Sequence, residues 1–138
     1  MQVILVAEDD ANLREVIAWS LRAEGYRAVT AADGLEGLRI LRGGQVALAI
    51  LDARMSWVNG LEVVARMRRD PVLRRIPVVL LADSPVVGPP DVLVLPHTVD
   101  GSKLLEVVQA HIGPPRSSVP IVRVTPLPAA GEDGPDRS

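Results

Sequence analysis

An open, doubly wound α/β domain with a parallel sheet is predicted by two features of residues 1–113. Short, β-branched, nearly continuous apolar runs alternate with segments of helical period, and Gly or Pro marks most of the joints. Runs of that kind suit strands buried on both faces, with right-handed crossovers carrying helices to either side of the sheet.

The elements follow in order. Val3–Ala7 is the first strand; Leu13, Val16, Ile17 and Leu21 then recur at helical spacing, and Gly25 supplies the stop. Arg27–Ala31 is the second strand. Asp33 can cap a helix carrying Leu35, Leu38 and Leu41, which ends at Gly43-Gly44. Residues 47–51 form the third strand. Leu61, Val64, Ala65 and Arg68 mark a third helix, halted before Pro71. Val78–Leu81 and residues 92–95 complete the strands, and Leu104, Val107, Val108, His111 and Ile112 mark a last helix before Gly113-Pro114. Between positions 82 and 91, Pro85, Gly88, Pro89 and Pro90 leave no room for an ordinary helix. The fourth helix of the alternation is therefore predicted to be reduced or missing, the crossover irregular, and one sheet face beside it thinly covered.

Composition narrows the possible functions. Fifteen Lys and Arg against 17 Asp and Glu leave a net charge of −2, which disfavours a surface built to neutralise nucleic-acid phosphates. Aromatic residues are limited to Trp19, Tyr26 and Trp57, too few for a base-stacking platform. The absence of Cys removes disulfides, thiolate metal sites and cysteine nucleophiles. No run is long enough to span a membrane, and Val3–Ala7 lacks a basic leader, so the expectation is a cytoplasmic protein that contacts neither membrane nor nucleic acid directly. Six of the 12 prolines fall in residues 114–138, which read as a Pro-rich flexible tail after a 1–113 domain. Within that tail, residues 121–124 are apolar enough to dock on the thinly covered face, in cis or within a homodimer.

In a parallel sheet the strand C-termini open on one edge, where ligands bind. Glu8 and Asp9 follow the first strand and Asp52 the third, and these strands should be neighbours. Two carboxylates about 5 Å apart repel by roughly 3 kcal/mol at an effective dielectric near 20. Such a group either holds a proton or binds a cation, and hard oxygen ligands favour Mg²⁺.

The order and spacing of several segments resemble the receiver domain of bacterial two-component response regulators. They are Val3-Ile4-Leu5-Val6-Ala7-Glu8-Asp9-Asp10, Ala32-Asp33-Gly34-Leu35-Glu36-Gly37-Leu38, Leu48-Ala49-Ile50-Leu51-Asp52-Ala53-Arg54-Met55, Asn59-Gly60-Leu61-Glu62 and Ile76-Pro77-Val78-Val79. The resemblance implies a flavodoxin-like sheet of order 2-1-3-4-5. It makes Asp52 the phosphoacceptor, with Glu8, Asp9, Asp52 and the backbone carbonyl of Arg54 holding Mg²⁺. A histidine kinase would be the phosphoryl donor, within a phosphorelay.

The chain also departs from the pattern. Ala82 stands where the family carries Thr or Ser, Leu95 where it carries Lys, and Val92 near the place of its switch aromatic; Ser56 replaces the proline after Met55. Losing a buried charge-assisted hydrogen bond costs on the order of 1.5–3 kcal/mol, and Leu95 offers no substitute. Ser84 and the Arg54 guanidinium are candidate replacements, each read first as an exposed side chain. His97 and His111 are read as a loop residue and a helix-face residue, not as ligands. The expectation is thus an atypical, stand-alone receiver acting through protein–protein binding, not an enzyme, with phosphorylation weakened or lost and Mg²⁺ held weakly. The alternative is an ordinary receiver switched by phosphorylation at Asp52. A Mg²⁺-dependent phosphatase is a remote third reading, since the chain has no D-x-D-x-T pair and its single lysine, Lys103, opens the last helix.

Overall fold

The computed structural model describes residues 2–86 and 88–115. Strands β1 (Val3–Ala7), β2 (Arg27–Ala31), β3 (Val46–Asp52), β4 (Val78–Leu81) and β5 (Leu93–Leu95) form one parallel sheet in the order β2-β1-β3-β4-β5. Helices α1 (Ala11–Ala23), α2 (Gly34–Arg42), α3 (Gly60–Arg68) and α4 (Gly101–Ile112) complete the doubly wound fold.

Alternation along the strands sorts side chains into two cores. Leu5, Ala7, Ala49, Leu51 and Leu80 pack with Leu38 and Leu41 of α2 and Val63, Val64 and Met67 of α3. Ile4, Val6, Leu48, Ile50 and Val79 face the other way, against Ile17 and Leu21 of α1 and Leu104, Val107 and Val108 of α4. Both faces being apolar explains why the strands read as continuous runs.

Each helix begins on a side-chain cap that accepts from its first-turn N–H groups: Asp10, Asp33, Asn59 and Asp100. Asp33 accepts from Glu36 N at 2.8 Å while Glu36 Oε1 accepts from Ala32 N at 2.8 Å, so two otherwise orphaned donors are satisfied at one helix start. Gly60 opens α3 against the end of β3, where a Cβ would stand 2.2 Å from the Asp52 carbonyl oxygen.

No helix occurs between β4 and β5 among the described residues, as the prolines predict. The edge strand β5 leaves Leu93 and Val94 exposed. The preceding loop is tied back by Arg68, whose guanidinium pairs with Asp91 at 2.6 Å. Three boundaries differ from the sequence reading. β3 gains Val46 and Asp52, the latter because it pairs with Leu81. β5 loses Val92, whose N–H turns back to the Pro89 carbonyl. A 3-10 turn over Leu73–Arg75 also forms, with the Asp70 carboxylate accepting from Val72 N and Leu73 N just before it. No described helix is long and apolar enough to cross a membrane. The tail assigned to 114–138, with its docking segment 121–124, lies almost wholly outside the described residues.

Candidate functional site

The pairing of β1 with β3 sets Ala7 beside Leu51, so the next residues, Glu8 and Asp52, emerge side by side at the C-terminal edge. Both are buried. Asp52 Oδ1 accepts from the Arg54 backbone N–H at 3.0 Å, and Glu8 Oε2 accepts from Asp10 N at 3.3 Å. Among the described residues, Glu8 Oε1 has no hydrogen-bond partner.

The third member of the group is His97. It follows Pro96 on the loop after β5, and its Nε2 lies 3.0 Å from Asp52 Oδ1 and 3.7 Å from Glu8 Oε1. Reaching Asp52 from β5 means crossing the end of β4, where the chain carries the small Ala82. Asp83 fixes the imidazole from the far side. Its Oδ1 accepts from His97 N at 2.9 Å, and its Oδ2 stands 3.0 Å from Nδ1. The latter contact is one of charge and distance, without the alignment of a hydrogen bond. One ligating atom from each of Glu8, Asp52 and His97 can be chosen so that all lie within 4.8 Å of one another.

The other residues singled out from the sequence are not among these three side chains. Asp9 is exposed and makes no hydrogen bond or ion pair among the described residues. Arg54 reaches Asp52 through its backbone N–H, and its side chain is exposed, as is Ser84. Leu95 points into the core shared with α4, and its carbonyl accepts from Ala82 N at 2.9 Å. Val92 packs in the opposite core. His111 Nδ1 faces the Val107 carbonyl at 2.8 Å on α4, the helix-face position expected of it.

One expectation is corrected. The sequence offers the Arg54 guanidinium as the candidate cation near Asp52 and places His97 on a loop, not as a ligand. The residue is on a loop, yet its ring is seated against the acids. The signal was present in Leu95-Pro96-His97: the edge rule that selects Glu8 and Asp52 also covers a residue just past the end of β5. Asp83, just past the end of β4, belongs to the same edge.

The electrostatics follow from this crowding. Burial first, and then the adjacent Asp52 carboxyl, push Glu8 up to about 8, against a smaller opposing pull from the Asp10 N–H and the His97 charge. A proton on Glu8 is thus one way the pair relieves its repulsion. Burial lowers the basicity of His97, but its contacts and charge interactions with Asp83 and Asp52 outweigh that and raise its pKa above 6.5. Asp83 is held below the ordinary carboxylate value, first by the His97 backbone N–H.

The model of the response regulator receiver domain matches residues 4–85. The chain belongs to this family. Among curated relatives, the transcriptional regulatory protein AfsQ1 of Streptomyces coelicolor is 37% identical over 81 residues, which are 59% of this chain and 35% of that protein. GlrR of Escherichia coli, another transcriptional regulatory protein, is 37% identical over 78 residues, or 56% and 17% of the two chains. The receiver therefore spans about a third or less of the length of these relatives. Among solved structures, the receiver domain of the sensor histidine kinase PA1611 from Pseudomonas aeruginosa PAO1, with a magnesium ion in its active site cleft, superposes with a TM-score of 0.74. It is 25% identical, over 81% of this chain and 98% of that one. TrrA from Thermotoga maritima, in complex with Mg²⁺-BeF, gives a TM-score of 0.70 at 28% identity, covering 81% of this chain and 100% of its own.

Proposed function

We propose that this receiver acts in two-component signalling by binding partner proteins, with phosphorylation of Asp52 weakened or lost. It is read as a cytoplasmic signalling domain rather than an enzyme, with a histidine kinase or another signalling protein as its partner. The observation that carries the reading is the 3.0 Å contact of His97 Nε2 with Asp52 Oδ1, an oxygen that already accepts from Arg54 N.

In phosphoryl transfer to a carboxylate, an oxygen attacks the phosphorus of a phosphohistidine. The O–P bond forms as the N–P bond breaks, and the departing imidazole takes up a proton. An attacking oxygen held by two donors is a poorer nucleophile and is partly covered by the imidazole. Ala82 and Leu95 supply no hydroxyl or ammonium to hold the incoming phosphoryl oxygens. The unpartnered Glu8 oxygen beside Asp52 fits a cation. Glu8 and Asp52 would hold Mg²⁺ weakly, with Asp9 and the Arg54 backbone carbonyl as the further ligands that the family resemblance implies, and the bound ion would offset charge on the transferring group.

A second reading, an ordinary phosphorylated switch, is favoured by the same histidine. When protonated, it brings positive charge to Asp52 in place of the missing lysine. The curated relatives are also transcriptional regulators. Incubation with Mg²⁺ and a small phosphodonor, followed by mass spectrometry, separates the two. Little or no acyl phosphate on Asp52 is expected. Stoichiometric labelling that disappears in Asp52→Asn and shifts partner affinity or oligomeric state would establish the ordinary switch instead.

A further inference from the structure

We infer that Glu8, Asp52 and His97 form a site for a divalent transition-metal ion of the Zn²⁺ type, which they take in preference to Mg²⁺. This deepens the reading of an altered acidic pocket, and its test needs no phosphodonor, so the two can fail separately.

Three observations carry it. The first is the donor set: two carboxylates and one imidazole. Imidazole nitrogen is a good ligand for zinc, nickel, copper and iron, whereas Mg²⁺ selects oxygen and keeps its waters. The second is geometry. A tetrahedral ion with bonds of about 2.0–2.1 Å sets its ligand atoms about 3.3 Å apart. The separations of 3.0 Å from His97 Nε2 to Asp52 Oδ1 and 3.7 Å to Glu8 Oε1 lie on either side of that value. Glu8 Oε1 is a buried oxygen with no hydrogen-bond partner among the described residues, and it lies 3.7 Å from the imidazole Nε2. The third is the support behind the ligand. Metal-binding histidines commonly hold their second ring nitrogen against a carboxylate, which fixes the tautomer and orients the ring. Asp83 Oδ2 stands 3.0 Å from Nδ1, near enough to take up that support although not aligned as a hydrogen bond here, and Asp83 Oδ1 accepts from the His97 backbone N–H.

Three protein ligands leave a fourth position open to water or to an oxygen of a bound molecule. The remaining histidine, His111, faces a helix carbonyl, and the chain has no Cys, so few competing soft ligands exist.

The test is calorimetric titration of the full-length, tag-free chain with Zn²⁺ and, separately, with Mg²⁺, each followed by thermal unfolding. One Zn²⁺ per chain, bound about 100-fold more tightly than Mg²⁺, is expected from the donor set. His97→Ala should lower Zn²⁺ affinity about 100-fold and leave Mg²⁺ affinity within about threefold. Asp83→Asn, a change at an exposed residue, should lower Zn²⁺ affinity about tenfold by loosening the ring. His111→Ala should change neither ion. If His97→Ala fails to fold by circular dichroism, His97→Gln takes its place. Equal affinities for the two ions in the wild-type chain would overturn the inference, as would Zn²⁺ binding that survives unchanged in the folded His97 variant.

Discussion

Glu8→Gln should stabilise the metal-free receiver, increasingly so as pH rises. Glu8 is raised from 4.5 to about 8 by burial and by Asp52, so the folded chain keeps a proton that the unfolded chain releases. For an acid shifted upward, folding loses about 1.4 kcal/mol per pH unit between those two values. The accumulated cost is below about 1 kcal/mol at pH 5 and about 3 kcal/mol at pH 7. Gln keeps the size of the side chain and can donate to Asp52, which removes most of that cost. His97 acts in the same direction. Its raised pKa contributes stability that is complete below 6.5 and is lost as pH rises through the folded value. Urea unfolding of wild type and Glu8→Gln with a chelator, at pH values from about 5 to 8, reads the difference directly. Wild-type stability should fall steadily with pH, and the variant should fall less, so that the two curves diverge. Parallel curves, or a variant less stable at every pH, would refute the reasoning.

Gly60→Ala should cost about 1–3 kcal/mol or more, because its Cβ would meet the Asp52 carbonyl at 2.2 Å and only movement of β3 or α3 relieves the clash; chemical denaturation measures it. Asp33→Ala removes the acceptor for Glu36 N and should lower stability by about 1 kcal/mol in the same assay. Tyr26→Phe deletes the 2.8 Å bond from the Tyr26 hydroxyl to the Gly113 carbonyl and should cost about 1 kcal/mol, with faster amide exchange at the end of α4.

Much of the fold was legible because its signals are local. Apolar runs buried on both faces gave five strands, and Asp33 and the helix-stopping glycines placed the turns. The missing helix between β4 and β5 was legible for a negative reason: prolines at 85, 89 and 90 forbid it. Short irregular pieces were less accessible. The 3-10 turn over Leu73–Arg75 follows a local turn in which the Asp70 carboxylate accepts from Val72 N and Leu73 N, and Val92 leaves β5 as its N–H turns back to Pro89. At the site, Glu8 and Asp52 were legible because each directly ends or follows a strand whose neighbour is known. His97 was not, because it reaches Asp52 across an intervening strand and depends on Asp83 to aim its ring. A family pattern directs attention to the position of the lost lysine, Leu95, and that side chain turns into the core.

The imidazole of His97 lying against Asp52 is the contact on which the altered site turns. Nitrogen-detected titration of the His97 ring in metal-free protein, with Asp52→Asn alongside, tests that contact directly. A pKa above 6.5 that drops when the Asp52 charge is removed is the predicted result. A His97 that titrates at its ordinary value and is indifferent to Asp52→Asn would contradict it.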